Sequence, residues 1–457
     1  MTFALYFGNR GLFPGWVIAD ARRELQEACR RNGYDCLLLE ESATRYGAVE
    51  TCREGEIYAR FLEKHAGQYD GVILCLPNFG DENGVCTALE GVKVPILIQA
   101  YPDESGRMSP ELRRDAYCGK LAVCNLLRQC GIPFSLTEQF AVSPTSPSFD
   151  RDLHRFAALC RTVNGMRRFR IGVFGARTTP FKTTRYDEMA LQKKGITVET
   201  FDLSEVFDKM DCVSDAELQT AQDLLSAYAC FNTEPRKLQN QAALLAVLQQ
   251  YIADYGLSAI AVRCWEEFEK RYGIAPCVAM SYLTEQGIPA ACETDVPSAI
   301  MMRAMTLAAD TPAMLLDVNN NYGNDPQRCI LFHCGVSPAS RMTEQPQVCC
   351  HRSFDKFGSC PGTVAGGLLS GPVTVGNLRT EEGQLYAFVG EGALTDDPID
   401  DNFFGTASVF SKANLPAMLT HMARNGYKHH TVVAPGELAD IVEEAFSVYL
   451  GYNTTVI

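Results

Sequence analysis

The sequence has no uncharged apolar run of about 20 residues, the length that an α-helix needs to cross a bilayer. It also has no excess of positive charge, because 55 acidic residues outnumber 41 basic ones and give a formal net charge of −14. Binding to a phosphate backbone requires clustered lysine and arginine, so we expect no nucleic-acid partner. The opening stretch MTFALYFGNRGLFPGW lacks a basic segment followed by an apolar one, so no secretory signal is predicted. Together these absences favour a cytoplasmic protein without a membrane partner.

Two further features are missing. The Gly turn in FRIGVFGA (169–176) is only a fragment of a dinucleotide-binding fingerprint, because the pattern G-x-G-x-x-G is not present, so no nucleotide cofactor is predicted. The 19 cysteines form no regular framework, since their number is odd and their spacing is irregular. Disulfide frameworks belong to short secreted chains, and we therefore expect these cysteines to be reduced and mostly packed as thiols.

The sequence does contain enough apolar material for more than one core. With 457 residues, of which 46% are hydrophobic, two or three domains are expected. Strand-like and helical segments alternate in residues 1–150 and again in 151–325, and a Ser/Pro-rich stretch at 141–150 marks the boundary. This alternation predicts two α/β domains, each with a parallel sheet covered by helices on both faces. Residues 326–457 are Gly-rich with short alternating runs, which indicates a small antiparallel barrel or sandwich.

Two acids, Glu293 and Asp295, stand between apolar runs in the stretch IPAACETDVPSAIMM. A carboxylate buried there without a partner costs free energy. The segments 287–293 and 313–318 are predicted as strands on either side of a helix, forming one βαβ unit. Its strands are expected to be parallel neighbours, about 4.8 Å apart, so that Glu293 and Asp317 at their carboxyl ends reach a shared point. Two carboxylates that close repel one another unless a cation lies between them, which favours a divalent metal. The alternative is that each acid caps a helix or a turn, as Asp295 is expected to do.

A histidine would complete such a site. The adjacent pair His429 and His430, in NGYKHHTVV, is predicted where a turn enters a strand. Their side chains then point to opposite faces, and one of them can be a ligand. Carboxylate oxygens with one imidazole suit Mn²⁺, Mg²⁺ or Co²⁺ better than a metal that prefers sulfur.

Several motifs resemble the L-fucose isomerase and L-arabinose isomerase superfamily. They are ACETDVPSAIMM, LLDVNNNYG followed by LFHCG, NGYKHHTVV, FGNRGLFPG, GARTTPFKTTRYDE and EGALTDDPIDDNFFGTASVF. The resemblance implies two Rossmann-like, doubly wound parallel-sheet domains followed by a β-rich, barrel-like antiparallel C-terminal domain. It also implies a metal-dependent aldose–ketose isomerase in which Glu293, Asp317 and His430 bind the metal, with Mn²⁺ the expected ion. Glu293 and Asp317 are in addition expected to transfer protons as base and acid while an enediolate forms.

The resemblance extends to residues around the metal. It implies that the acidic ligands belong to the second domain and the histidine ligand to the third. Asn319, His333 and His429 are expected to bind the sugar, as are Asn9 and Arg10 in the loop after the first strand. Arabinose isomerases carry a further metal-ligating histidine at the position of His333. In this family the Asn9–Arg10 loop often serves a neighbouring subunit's site, which implies a homo-oligomer, a hexamer or another trimer-based assembly, with sites at subunit interfaces.

The motifs leave the sugar open. A pentose, a 6-deoxyhexose and a hexose with an anionic group at carbon six, such as the sulfosugar sulfoquinovose, all fit the same catalytic core. Selection among them is expected from loops such as 76–84 and 177–188, where Arg177, Lys182 and Arg185 either meet an anion or are solvated charges. A non-catalytic sugar-binding protein is an alternative of a different class, because paired α/β domains also build such receptors. Chelation of metal separates the two, since a receptor binds its sugar unchanged afterwards.

Overall fold

The computed structural model of the protein describes residues 1–400 and 402–457, apart from the side chains of Phe354 and Asp355. Asp401, which belongs to the motif EGALTDDPIDDNFFGTASVF, lies outside this described part. The chain divides into two compact units, Met1–Asn164 and Gly165–Ile457. The finer division into three domains stays a prediction. None of the helices in the described ranges combines the length and the apolar character that a bilayer crossing requires.

The first unit is a parallel sheet with helices. Neighbouring strands run parallel in the order β2-β1-β3-β4-β5. In a doubly wound sheet of this order β1 and β3 flank the switch point, the place where such sheets bind ligands. The strands are β1 (Thr2–Phe7), β2 (Asp35–Leu38), β3 (Gly71–Leu76), β4 (Ile96–Ala100) and β5 (Ser135–Leu136), and the helices are α1 (Val17–Arg31), α2 (Cys52–Lys64), α3 (Asn83–Leu89), α4 (Ala116–Gln129) and α5 (Pro147–Met166).

The burial of these elements explains why the sheet forms. All six residues of β3, GVILCL, are buried, as expected for a strand covered on both faces. Helix α1 ends at Arg31, and Gly33 follows with φ of 79°, a left-handed conformation that glycine adopts without a steric penalty. Helix α5 packs on the same sheet, because the rings of Phe3 and Phe156 lie 5.3 Å apart. The parallel sheet predicted for the first α/β domain is therefore confirmed.

One cysteine pair departs from the sequence prediction. Cys86 in α3 and Cys130 at the end of α4 are joined by a disulfide, whereas the sequence predicts reduced thiols throughout. The prediction is wrong for this pair because the fold brings together two residues 44 positions apart, which spacing along the chain cannot indicate. The remaining cysteines are free, and most of them are buried or half-buried.

The second unit begins with another parallel sheet. Four of its strands pair in parallel in the order β10-β9-β6-β7. The second α/β sheet predicted from the sequence is therefore confirmed. The strands of this part are β6 (Phe169–Phe174), β7 (Ile196–Phe201), β8 (Cys230–Phe231), β9 (Ala259–Val262) and β10 (Ala290–Ala291), and the helices are α6 (Glu188–Lys193), α7 (Leu203–Asp211), α8 (Asp215–Tyr228), α9 (Pro235–Tyr255), α10 (Glu267–Tyr272), α11 (Cys277–Glu285) and α12 (Val296–Ala309).

The rest of the second unit is mainly antiparallel. It contains β11 (Met314–Tyr322), β12 (Asp325–His333), β13 (Gln347–Cys350), β14 (Pro361–Gly367), β15 (Gly371–Glu381), β16 (Gln384–Thr395), β17 (Thr406–Ser411), β18 (His430–Pro435) and β19 (Asn453–Val456), with α13 (Leu415–Arg424), α14 (Ala439–Glu444) and a π-helical turn at Ala445–Leu450. Six strands follow one another in the order β16-β15-β18-β11-β12-β17, and β17 pairs again with β16. This closes an antiparallel barrel, against which α12 packs through β15 and β18. The barrel-like domain is therefore confirmed.

Strand β11 shows where a sequence prediction is wrong. Segments 287–293 and 313–318 are predicted as parallel neighbours in one βαβ unit. Instead, β10 pairs with β9 in the parallel sheet, whereas β11 pairs antiparallel with β12 and β18 in the barrel. The error arises because a short apolar run indicates that a strand forms but not which sheet it joins. Asp317 accordingly lies within a barrel strand rather than at the carboxyl end of a parallel one.

We expect the first unit to fold on its own, because it has its own buried core and α5 packs on its sheet. A fragment Met1–Met166 should show helical circular dichroism and a single cooperative thermal transition. The matched fragment 1–142 lacks α5 and leaves Phe3 uncovered, so it should melt at a lower temperature or without cooperativity. Gradual melting of the longer fragment contradicts the prediction.

Candidate active site

Glu293 lies on a strained turn at the carboxyl end of the second parallel sheet. Both Glu293 and Thr294 have left-handed backbone conformations, with φ of 51° and 55°. Residues other than glycine adopt this conformation at a cost of about 1–3 kcal/mol each, so the surrounding structure must hold it. The amide of Thr294 donates to the Val262 carbonyl at 3.2 Å, and the Thr184 hydroxyl donates to the Glu293 carbonyl at 3.3 Å. The indole N–H of Trp265 donates to Oε1 of Glu293 at 3.2 Å, which leaves Oε2 for the site.

Asp317 and His430 come from neighbouring barrel strands. Strands β11 and β18 pair in a register that sets the two residues directly opposite one another. Opposed side chains on one face of an antiparallel pair lie within reach of each other. Nε2 of His430 is 3.5 Å from Oδ1 of Asp317 and 3.4 Å from Oε2 of Glu293. The structure thus brings Glu293 and Asp317 each next to Nε2 of His430, although by a different route from the predicted βαβ unit.

A buried acid orients the ring of His430. Nδ1 of His430 and Oδ2 of Asp295 are 2.6 Å apart, and both side chains are buried. Asp295 also caps α12 by accepting from the Ser298 amide at 3.0 Å, and it pairs with the Lys428 ammonium at 3.0 Å. Burial disfavours the charged carboxylate, but Lys428 and His430 outweigh it and hold the pKa of Asp295 well below its usual range. An ionised Asp295 accepts a hydrogen bond from the Nδ1–H group of His430. The lone pair of the ring is therefore on Nε2, which faces Glu293 and Asp317.

The two carboxylate oxygens that face Nε2 of His430 accept no hydrogen bond from the described residues. Oε2 of Glu293 and Oδ1 of Asp317 are buried, and neither has a hydrogen-bond partner in the described part of the chain. Burial, followed by the sulfur atoms of Cys264 and Cys334 and the charge of Asp317, raises the pKa of Glu293 well above its usual value. Burying two carboxylate oxygens without a hydrogen bond costs free energy unless a proton or a cation binds to them. The donor set of two carboxylates and an imidazole therefore fits a hard divalent ion.

His333 lies next to these groups at the end of β12. One ligand atom each from Glu293, His333 and His430 lies within 4.8 Å of the others. Burial lowers the pKa of His333, but the sulfur of Cys334, 3.4 Å from its Nδ1, outweighs burial and raises the pKa to about 9. His333 can reach the same ion as Glu293, and its expected contact with the sugar stays a prediction.

His429 lies at the rim of the site and His430 in its interior. The side chain of His429 is 44% exposed, against 1% for His430. The prediction that the two side chains point to opposite faces is wrong, because His429 precedes β18 and the two rings lie 4.7 Å apart. Nε2 of His429 is 3.8 Å from Oδ1 of Asp317. Burial, with the neighbouring His430, lowers the pKa of His429. Asn319 is exposed at an irregularity of β11, two residues beyond Asp317. The sugar-binding roles of His429 and Asn319 stay predictions.

Asn9 and Arg10 belong to the first unit, at the carboxyl end of β1. The Asn9 amide donates to Glu50 at 2.8 Å and accepts from Asn78, in the loop after β3, at 2.8 Å. Arg10 pairs with Glu82 at 2.6 Å. These side chains gather at the β1/β3 switch point, where doubly wound sheets bind ligands. The location supports a binding role for Asn9 and Arg10, which stays a prediction.

Sequence analysis missed several residues that shape the site. Asp295 is expected only as a helix cap, and it does cap α12, but it also orients His430. A signal was available in Lys428, a charged residue directly before the histidine pair that is buried in the structure. Phe181 and Trp265 carry no such signal, because they reach the site from separate loops. The Phe181 ring lies 5.6 Å from the Trp265 ring and from both rings of the histidine pair.

Four thiols pack behind the carboxylate of Glu293. Cys264, Cys277 and Cys292 are buried, and Cys334 joins them from the residue after β12. Ligand atoms of Cys264, Cys292 and Glu293 lie within 4.8 Å of one another. Hydrogen bonds from Cys277 and Cys292 lower the pKa of Cys334. The sequence prediction of packed thiols therefore holds for these cysteines, and their sulfur atoms contribute to the raised pKa of Glu293.

We expect Asp295→Asn to weaken metal binding by about tenfold to a hundredfold, the usual effect of removing the partner of a ligating histidine. The variant should also lose about 3–5 kcal/mol of stability, because Lys428 is left buried without its counter-charge. Mn²⁺ affinity measured by titration and unfolding in denaturant check the two effects. Asp202→Asn is the matched control, since exposed Asp202 caps α7 in the same way at a distance from the site. Unchanged Mn²⁺ affinity in Asp295→Asn contradicts the positioning role.

The chain resembles known sugar isomerases over most of its length. Residues 4–167 match the N-terminal domain of the fucose/sulfoquinovose isomerases, and residues 331–457 match the C-terminal domain of L-fucose isomerase. A sulfoquinovose isomerase of Alkalicoccus urumqiensis is 25% identical over 411 residues, 87% of this chain and 88% of that protein. Those of Priestia aryabhattai and Clostridium sp. (strain MSTE9) are 24% and 23% identical, over 83% and 72% of this chain and 84% and 73% of their own lengths.

Among solved structures, the glycosyltransferase SnogD from Streptomyces nogalater covers 68% of this chain and 96% of its own, at 10% identity and a TM-score of 0.15. A likeness that small carries no argument. The two family matches span most of the first unit and most of the barrel. The chain therefore belongs to the fucose isomerase family, whose members are metal-dependent aldose–ketose isomerases.

Proposed function

We propose that Glu293 and Asp317 transfer the protons of an aldose–ketose isomerisation and that the sugar carries an anionic group at carbon six. The observation that carries the catalytic assignment is the convergence of two unpartnered carboxylate oxygens on Nε2 of His430. The relatives named sulfoquinovose isomerase support the substrate class, because sulfoquinovose is a hexose with a sulfonate at carbon six. The family matches are also named for fucose, a 6-deoxyhexose, which makes that sugar class the second candidate. A pentose and a non-catalytic sugar-binding role have no comparable support.

Glu293, Asp317 and His430 are the residues that would hold the metal, with His333 beside them. Two carboxylates and imidazole suit Mn²⁺, with Mg²⁺ and Co²⁺ as the other ions of matching preference. When bound, such an ion polarises the carbonyl and the neighbouring hydroxyl oxygen of the sugar and stabilises the charge that develops on them. The hydrogen bond to Asp295 orients His430 for metal binding, because it keeps the lone pair of the ring on Nε2.

The chain's own carboxylates move the protons. Glu293 removes the hydrogen of carbon two through Oε2, while the Trp265 indole holds its Oε1. The sugar is then an enediolate, to which Asp317 gives a proton that it carries at this stage, forming the new C–H bond at carbon one. The proton of the carbon-two hydroxyl moves to the oxygen on carbon one, and Glu293 and Asp317 exchange one proton with solvent before the next turnover. Phe181, packed on Trp265 and both histidines, shields the transfer from water.

The enzyme is further proposed to be a cytoplasmic homo-oligomer, a hexamer or another assembly based on trimers. The first unit supports this, because Leu12, Trp16 and Met108 are 88%, 51% and 55% exposed, and large exposed apolar side chains in one region mark contact surfaces. The Arg107 guanidinium lies 5.5 Å from the Trp16 ring, which places Met108 and Trp16 in the same region. The many free thiols support a reducing compartment.

Light scattering should therefore give a mass of three or six chains at assay concentration. Replacing Leu12 and Trp16 together with Ser should shift the mass downward and reduce turnover, because the Asn9–Arg10 loop is expected to serve a neighbouring subunit's site. Paired replacement of Val448 and Val456, which are 43% and 50% exposed in the second unit, is the control for general surface polarity. A fully active monomer contradicts the proposed assembly.

The decisive test of the catalytic assignment is Glu293→Gln. Glutamine keeps the shape and one ligating oxygen but removes the base, so turnover at saturating Mn²⁺ should fall by roughly a hundredfold or more. Exchange of the carbon-two hydrogen with solvent should fall in parallel. Near-normal exchange in this variant shows that Glu293 only binds the ion, and the proposed mechanism then fails.

His430→Ala is the companion variant, because an imidazole that only binds metal can be bypassed in part. Its turnover should be low at limiting Mn²⁺ and should recover in part when Mn²⁺ is in excess. Glu293→Gln should gain metal occupancy under the same conditions without gaining rate. The contrast between the two responses separates proton transfer from ligation, and equal recovery of both variants contradicts the separation.

A further inference from the structure

The loop between β6 and α6 carries three cations that have no acidic partner. Arg177, Lys182 and Arg185 lie within nine positions of one another in a chain whose formal net charge is −14. No carboxylate of the described residues forms an ion pair with any of them. Several exposed arginines elsewhere pair with an acid, for example Arg271 with Asp211 at 2.7 Å. An unpaired cluster of cations is a surface that an anion can neutralise.

The hydrogen bonds of the two arginines keep donors available. Nη1 of Arg177 donates to the carbonyls of Thr178 and Thr179 at 3.2 and 3.4 Å. Nε of Arg185 donates to the carbonyl of Lys182 at 2.9 Å. Each guanidinium is thus held to its own loop through one nitrogen, and its remaining N–H groups form no hydrogen bond with another element in the described part of the chain. A planar guanidinium presents such groups as a fork that matches the oxygens of a tetrahedral anion.

Both arginines line a cavity of about 330 Å³. The cavity lies at the carboxyl ends of β6 and β7, where parallel sheets bind their ligands, and its other lining residues include Thr184, Tyr186 and Thr294. Thr294 directly follows Glu293 on the strained turn. The cavity and the candidate catalytic carboxylate therefore share one turn of the backbone.

The same loop also contacts the catalytic groups. The Thr184 hydroxyl donates to the carbonyl of Glu293 at 3.3 Å, and the Phe181 ring lies 5.6 Å from each ring of the histidine pair. The loop that carries both arginines is therefore also one wall of the candidate active site. Among the described residues, Arg177 and Arg185 are the guanidinium groups that line the cavity.

We propose that this cavity is an anion subsite in which Arg177 and Arg185 bind a tetrahedral anionic group on carbon six of the sugar. The assignment rests on the proposed function, which locates carbons one and two at Glu293. The group is a sulfonate or a phosphate ester, which offer the same three terminal oxygens to a guanidinium fork. Lys182 adds positive potential at the loop without lining the cavity.

The kinetic test compares three sugars, a glucose with a sulfonate at carbon six, glucose 6-phosphate and the neutral 6-deoxyglucose. In Arg177→Gln and in Arg185→Gln, the ratio of kcat/KM for the anionic sugar to that for the neutral one should fall about tenfold to a hundredfold, the worth of a charge-assisted hydrogen bond. Arg177→Lys should keep part of the ratio because it keeps the charge. A general folding defect lowers both rates and leaves the ratio unchanged.

Arg236→Gln is the matched control, since Arg236 is exposed on α9 and does not line the cavity. Its ratio should equal that of the original enzyme. A higher original ratio for the sulfonate than for the phosphate assigns the subsite to sulfonates, and the reverse assigns it to phosphate esters. Equal ratios in both arginine variants and the control overturn the subsite.

A binding measurement separates failure of the subsite from failure of the proposed function. Calorimetry with chelator-treated enzyme and the alditol that carries a sulfonate at carbon six reports on the anion without turnover. Weaker binding in Arg177→Gln than in Arg236→Gln supports the subsite even if none of the three sugars is isomerised, in which case the proposed function fails alone. Isomerisation with unchanged anion binding in both arginine variants leaves the proposed function intact and overturns the subsite.

Discussion

The hydrogen bond between Asp295 and His430 is the interaction on which the candidate site depends. Asp295 begins α12 at the end of the parallel sheet, and His430 begins β18 in the barrel, so this 2.6 Å contact joins the two architectures of the second unit. A buried carboxylate is costly without partners, and Asp295 has three kinds: the His430 ring, the Lys428 ammonium and the Ser298 amide. Removing any one of them leaves the others with an imperfectly compensated charge.

The other groups of the candidate site also come from the parallel sheet and from the barrel. The strained turn at Glu293 supplies one acid, and the register of β11 against β18 supplies Asp317 opposite His430. Each of these placements is local and rigid, since one is a held backbone conformation and the other a strand pairing. The loop after β6 is different, because it contacts the site from outside through Phe181 and Thr184. Under the proposed function, proton transfer falls to residues on fixed elements and sugar selection to a connecting loop, as is usual in α/β enzymes.

Local pattern allowed the sequence to predict both parallel sheets and the barrel-like region. The motifs also identified Glu293, Asp317 and His430 as a set before any geometry was available. Two predictions were wrong because they depend on contacts between residues far apart in the sequence. Strand β11 lies in the barrel rather than in the parallel sheet, and Cys86 forms a disulfide with Cys130. Asp295 looked like an ordinary cap because its second and third partners lie far along the chain. Apolar periodicity reports which residues become buried, but not which partner covers them.

The distance between Asp295 and His430 along the chain, 135 residues, also matters while the protein is being made. At ribosomal speeds of 5–20 residues per second, α12 leaves the ribosome roughly 7 to 27 s before β18 exists. Throughout that interval the charge on Asp295 has neither Lys428 nor His430 to meet it, so full burial of this helix terminus is unfavourable. The parallel sheet of the nascent second unit therefore stays incompletely covered until about the last thirty residues emerge. A chaperone that recognises exposed apolar helices has its longest window on this chain between the synthesis of those two elements.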